Sequence, residues 1–174
     1  MFNLWNFVAY QCAWFAVILG AAHGMPQAGA AVAVLLVAVH LALRRERAEW
    51  QLIAAAVIAG VVVDTTLVIS GKVQFASAWP QSFAPFWMLS LWMAFATTLN
   101  HSLRWLASRP PVAALAGAIG GPLAYLGGAK LGALSIAMPI PALILIAFLW
   151  ALALGLLSLL SSVRNGAVDR RIPA

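Results

Sequence analysis

The chain has 174 residues, 64% of them hydrophobic and 8% charged, with a mean hydropathy of +0.98. A soluble domain carries about 25% charged residues, so the composition excludes a soluble globule and points to an integral membrane protein. The net charge of +6 does not indicate a nucleic-acid partner, because the positive residues form short clusters between apolar runs and build no basic face.

Apolar runs long enough to cross a bilayer alternate with turn or charge signals. They predict helices over 3–22, 27–43, 51–70, 85–106, 112–129 and 141–162. The expected fold is an all-α, polytopic transmembrane bundle of about six spans. It forms a single integral membrane domain over 1–174 with the lipid bilayer as its surroundings. No run has the strict alternation that a membrane β-barrel needs.

The first span opens on Met1-Phe-Asn-Leu-Trp-Asn6 without the positive region of a secretory signal, so it is expected to be a retained helix. It carries Gln11 and the lone Cys12, which has no intrachain disulfide partner. His23-Gly-Met-Pro26 reads as a tight turn with His23 exposed. His40 comes one turn before Arg44, and the connection that follows holds Arg44, Arg45, Glu46, Arg47 and Glu49. In the third span Asp64 is alone in the run Val61-Val-Val-Asp64-Thr-Thr66, about 20 Å from the helix start at 1.5 Å per residue. A carboxylate at that depth must be protonated, paired or hydrated. It serves proton transfer, cation or substrate contact, or it locks helix register through hydrogen bonds to neighbouring Thr or Asn groups.

The fourth span ends in a polar stripe. At 100° per residue, Thr97, Asn100, His101 and Arg104 share one side of a helix, and Phe95, Leu99, Leu103 and Leu106 take the other. Arg104 can snorkel to the headgroups. His101 cannot reach as far, so its ring needs a partner. His40 lies at a comparable depth, and a His40–His101 pair is a possible metal or haem ligand set. Two histidines without a carboxylate or Cys make a weak signal, so no metal and no cofactor are expected. Asp64 and His101 differ by about 12 Å in depth, with Thr97 and Thr98 between them, which suggests a polar seam rather than one compact centre. The fifth span reads Gly117-Ala-Ile-Gly120-Gly121-Pro122-Leu-Ala-Tyr125. Gly117 and Gly121 have the spacing that lets helices approach closely, and Pro122 should kink the helix near the midplane, with Tyr125 the nearest polar side chain. Of eight tryptophans, Trp5, Trp50, Trp79, Trp87, Trp105 and Trp150 are expected at the interfaces, and Trp14 and Trp92 deeper between helices.

Charge placement orients the bundle. With six spans, Arg44, Arg45, Arg47, Arg104, Arg109, Arg164, Arg170 and Arg171 fall on one side, eight of the ten Lys and Arg residues; Lys72 and Lys130 fall opposite. The positive-inside rule then places both termini in the cytoplasm.

Four segments together resemble a family of small bacterial inner-membrane proteins classed as a domain of unknown function. They are Asn6-Phe with Gln11-Cys-Ala-Trp14-Phe, Gly60-Val-Val-Val-Asp64, Leu91-Trp-Met-Ala-Phe95 through His101-Ser-Leu-Arg-Trp105, and Gly117 through Tyr125. The resemblance implies a multi-pass protein of the bacterial inner (plasma) membrane in a lipid context. It supplies no reaction or substrate. No phosphate-binding loop, nucleophile elbow or HExxH motif is present in the sequence. The leading expectation is a protein that binds or translocates a lipid-like or small polar ligand through a seam of Asp64, Thr97, Asn100, His101, Arg104, Tyr125 and Gln11. The alternatives are a membrane-embedded lipid-modifying enzyme, with His101 as acid/base and Arg104 on a headgroup, and a non-catalytic assembly partner. The last would dock another membrane protein, or a second copy of the chain, through its glycine face at Gly117, Gly120 and Gly121.

Overall fold

In the computed structural model, residues 2–44 and 46–169 are described, with side chains to Val163. Arg45, Arg170 and Arg171, three of the positives used for orientation, lie outside the described residues, as do the side chains of Arg164 and Asp169. The described elements run α1 (Phe2–Ala22), α2 (Pro26–Leu43), α3 (Arg47–Ile69), β1 (Val73–Phe75), α4 (Phe86–Leu99), α5 (Arg104–Ala107), α6 (Pro110–Lys130), β2 (Leu134–Ile136) and α7 (Pro139–Asp169). Helices α1, α2, α3, α6 and α7 are long and apolar enough to cross a membrane. The protein is an all-α, multi-pass membrane bundle. Its exterior is apolar, with Ile58, Leu115, Ile144 and Leu156 exposed, while Asn6, His40, Glu49, Asp64 and Thr97 are buried. Lipid tolerates that distribution and water does not.

Helix α4 is the exception in length and the centre of the packing. Its 14 residues span about 21 Å, less than the roughly 30 Å hydrocarbon layer. Eleven of them are buried, because α1, α2 and α3 all pack around it. Its C-terminal half is enclosed by protein, Ala94 through Leu99 all being buried, so that end of the short helix is shielded from hydrocarbon.

The ends of the bundle are distinct. At one end β1 and β2 pair antiparallel, Val73 opposite Ile136 and Phe75 opposite Leu134. This clip joins the α3–α4 and α6–α7 connections, and Ser77 Oγ donates to the Ala21 carbonyl at 3.2 Å, tying in the α1–α2 hairpin. The opposite end gathers Phe2, His40, Arg44, Glu49 and Asn100.

Three expectations require correction. The helix expected over 85–106 stops at Leu99. The Thr98 carbonyl accepts the N–H of His101 at 3.1 Å and of Leu103 at 2.8 Å, which turns the chain before α5 begins. Thr97 to Arg104 is therefore not one helical stripe but a helix end, a turn and a new helix start. The third helix begins at Arg47 rather than Gln51, so Glu49 lies in its first turn, where the helix dipole favours an acid; Glu49 is buried, not part of a solvated connection. Helix α6 keeps its expected place and carries Pro122 within it. Finally, Trp87 and Trp150 are not interfacial. Trp87 is buried against Phe75, and Trp150 stacks on Trp92. Trp5, Trp50, Trp79 and Trp105 are exposed and Trp92 is buried.

Candidate functional site

Two buried carboxylates on α3 organise the polar interior. Asp64 is enclosed completely, at 0% exposure. Its Oδ2 accepts the Trp92 indole N–H at 2.8 Å, and its Oδ1 accepts the Tyr125 hydroxyl. Three helices, α3, α4 and α6, are thereby joined at one carboxyl group. The partners are aromatic donors, not the neighbouring Thr or Asn groups expected from the sequence. Trp92 in turn stacks on Trp150 with ring centroids 4.6 Å apart and an interplanar angle of 22°. Glycines make this layer possible. A Cβ at Gly60 would strike the Trp92 indole, one at Gly121 the Trp150 indole, and one at Gly117 the Trp150 carbonyl. The Gly117 and Gly121 face is thus occupied by α7 of the same chain, whereas Gly120 faces open space. The cavity beside these rings, lined by Tyr10, Trp14, Phe95 and Tyr125, holds only about 40 Å³, room for about one or two waters.

Glu49 is equally hidden, at 2% exposure, but its partners are of another kind. His40 Nε2, from the last turn of α2, lies 3.2 Å from Glu49 Oε2. His101 Nε2, from the turn after α4, lies 3.2 Å from Oε1. Asn100 Nδ2 donates to Oε1 at 3.0 Å, and Ser161 Oγ of α7 donates to Asn100 Oδ1 at 2.8 Å. The imidazoles meet edge to face with centroids 4.9 Å apart. Asn6 of α1 closes the group: its Nδ2 donates to the Thr97 carbonyl at 3.1 Å and lies 3.5 Å from His40 Nδ1, and its Oδ1 accepts from Ser102 Oγ at 2.7 Å. Phe2 packs on both imidazoles and carries the Arg44 guanidinium over its ring at 4.1 Å.

This second cluster forms the floor of a polar cleft of about 670 Å³, walled by Arg44, Glu46, Asn100, Ser102, Arg104 and Trp105 around Glu49 and His101. Its backbone is irregular from Asn100 to Leu103, which suits the membrane boundary because it lines a cleft instead of meeting lipid. The arrangement offers two guanidinium groups for an anion, amide and hydroxyl groups for orientation, and an imidazole backed by a carboxylate.

Residues 3–156 match the family described as "Protein of unknown function (DUF2878)". The chain belongs to this family. Every member of both clusters except Phe2 and Ser161 lies within the matched segment. No curated protein and no solved structure matches the chain.

The structure thus divides the residues singled out by sequence. Asp64 and Tyr125 meet in the interior; Thr97, Asn100 and His101 meet around Asn6 and Glu49, with Arg104 on the cleft rim. Glu49 and Asp64, 15 positions apart on α3, are separated by about 22 Å along its axis. The Thr97 and Thr98 hydroxyls donate to the Ala94 and Phe95 carbonyls of their own helix, and among the described residues no hydrogen bond links the two clusters. Gln11 is half-buried on α1 and joins neither. What sequence reasoning missed was Glu49. The signal existed: Glu49, Ile53, Ala56, Gly60, Val63 and Leu67 share the buried face of α3 at heptad spacing, so extending the face of Asp64 backward leads to Glu49.

Proposed function

We propose that the protein binds the anionic headgroup, phosphate or carboxylate, of a lipid-like ligand in the cleft over Glu49 and His101, at the cytoplasmic face of a bacterial inner membrane. The single observation carrying this reading is the polar cleft with Arg44 and Arg104 at its rim, beside an exposed Trp105. Paired guanidinium groups recognise phosphate and carboxylate through charge-assisted hydrogen bonds, and the neighbouring apolar exterior receives acyl chains. The arginine-rich end is cytoplasmic on the positive-inside rule.

The test uses purified protein in a neutral detergent. Native mass spectrometry should find phosphatidylglycerol retained in preference to phosphatidylcholine, and the Arg44→Gln, Arg104→Gln double variant should lose about tenfold in affinity, the equivalent of about 1.4 kcal/mol. Equal retention of both lipids by the wild-type protein contradicts the reading.

A second reading is a lipid-modifying enzyme. It is favoured by the contact of His101 with Glu49 at 3.2 Å, the pairing that orients an imidazole for general acid–base work. It requires product formed from lipid by the purified protein and lost in His101→Ala.

A further inference from the structure

We propose that His40, Glu49 and His101 form a divalent-metal site, with zinc as the cation their chemistry matches best. The proposal stands on this cluster alone and does not depend on the headgroup reading. One ligand atom from each residue lies within 4.8 Å of the other two, and both imidazole nitrogens stand 3.2 Å from a carboxylate oxygen. Zinc binds imidazole nitrogen and carboxylate oxygen at about 2.0–2.2 Å, and ligands around a tetrahedral ion of that size stand about 3.3 Å apart. Each imidazole thus stands at ligand spacing from the carboxylate, and the set as a whole, within 4.8 Å, needs only a small inward shift to close around one ion.

The three ligands come from three separate elements, the end of α2, the start of α3 and the turn after α4, so only the folded bundle assembles them. Each side chain is at most 13% exposed. His101 Nε2 is the telling atom. It is buried and faces Glu49 Oε1 at 3.2 Å, yet it makes no aligned hydrogen bond. A buried ring nitrogen so close to a carboxylate oxygen but poorly aligned with it gains from a cation held between the two.

Groups that hold the ligands in place are also present. Asn100, anchored by Ser161, fixes the Glu49 carboxylate from one side. The Phe2 ring, 5.0 Å from His101 and 5.8 Å from His40, supplies the apolar shelter that strengthens metal binding. Coordination through His40 Nε2 requires its proton on Nδ1, which faces Asn6 at 3.5 Å. That is the longest hydrogen-bond distance in the cluster and the least costly to lose, and Asn6 keeps its shorter bond to the Thr97 carbonyl. Three protein ligands leave a fourth position for water or a ligand group. Glu49 and His101 both line the cleft, so that position opens to it, whereas His40 lies behind.

The experiment uses the full chain, purified in maltoside detergent, stripped with chelator and titrated with zinc alone, without added lipid. Elemental analysis after dialysis should give one zinc per chain. Cobalt substituted at the site should give the intense visible absorption of a tetrahedral nitrogen–oxygen site. Glu49→Gln and His101→Ala should each weaken zinc at least a hundredfold, while His23→Ala, which removes an exposed histidine, should leave it unchanged. Wild-type protein that retains no zinc, or an octahedral cobalt spectrum, overturns the proposal without relying on any variant. So does undiminished binding in folded Glu49→Gln. Zinc bound without preference for anionic lipid sinks only the headgroup reading, and the reverse result sinks only this one.

Discussion

Asp64 and Glu49 are carboxylates on the same helix, both almost wholly inaccessible, and their surroundings are opposite in kind. Asp64 is saturated by an indole and a phenol from two other helices and touches no sizeable cavity. Glu49 is held between two imidazoles and an amide, with a cleft opening beside it. A buried acid whose partners are all rigid aromatic donors in a packed layer fastens helices together. One whose partners are imidazoles beside an open cleft is, on the function proposed above, placed to meet a ligand. Depth in the membrane does not by itself mark function; the character of the partners does.

That contrast is open to breakage, beginning with the largest effect. Asp64→Leu strands the Trp92 N–H and the Tyr125 hydroxyl, and unfolding in mixed micelles should show a loss of about 2–6 kcal/mol, at one to three per orphaned group. A variant as stable as wild type would remove Asp64 from its fastening role. Gly121→Leu attacks the same layer by sterics, driving a side chain into Trp150. It should cost about 2–3 kcal/mol and shift the near-ultraviolet tryptophan signal. Glu49→Gln should be milder, about 1 kcal/mol, because the amide still fills the space and keeps part of the hydrogen bonding. A loss as large as that of Asp64→Leu would erase the distinction. The smallest effect belongs to Arg104→Gln alone, expected to leave stability within about 0.5 kcal/mol for an exposed residue while weakening anionic lipid a few-fold.

How far the sequence carried the account can be followed residue by residue. The bundle was legible because hydropathy and charge are properties of segments, and lipid permits few alternatives to helices. Asp64, His101 and Asn100 stood out because a polar residue inside an apolar run needs a partner wherever the chain goes. Glu49 did not stand out. Its neighbours Arg44, Arg45, Glu46 and Arg47 gave it the look of a solvated loop residue, and its burial depends on α2, the α4 turn and α7 converging from distant parts of the chain. The same blindness produced the single long fourth helix, since only the capture of two backbone N–H groups by the Thr98 carbonyl reveals the turn. It also hid Trp150, whose interior position is made by glycines more than 25 residues away on α6. Periodicity reports a face; it does not report which face another helix will claim.

The division of labour between the two carboxylates is tested most directly by the lipid-dependent shift in thermal midpoint, phosphatidylglycerol against phosphatidylcholine, compared between Asp64→Asn and His101→Gln. The account predicts that Asp64→Asn lowers the midpoint yet keeps the shift, while His101→Gln holds the midpoint and loses the shift. A shift that disappears in Asp64→Asn and survives in His101→Gln would contradict it.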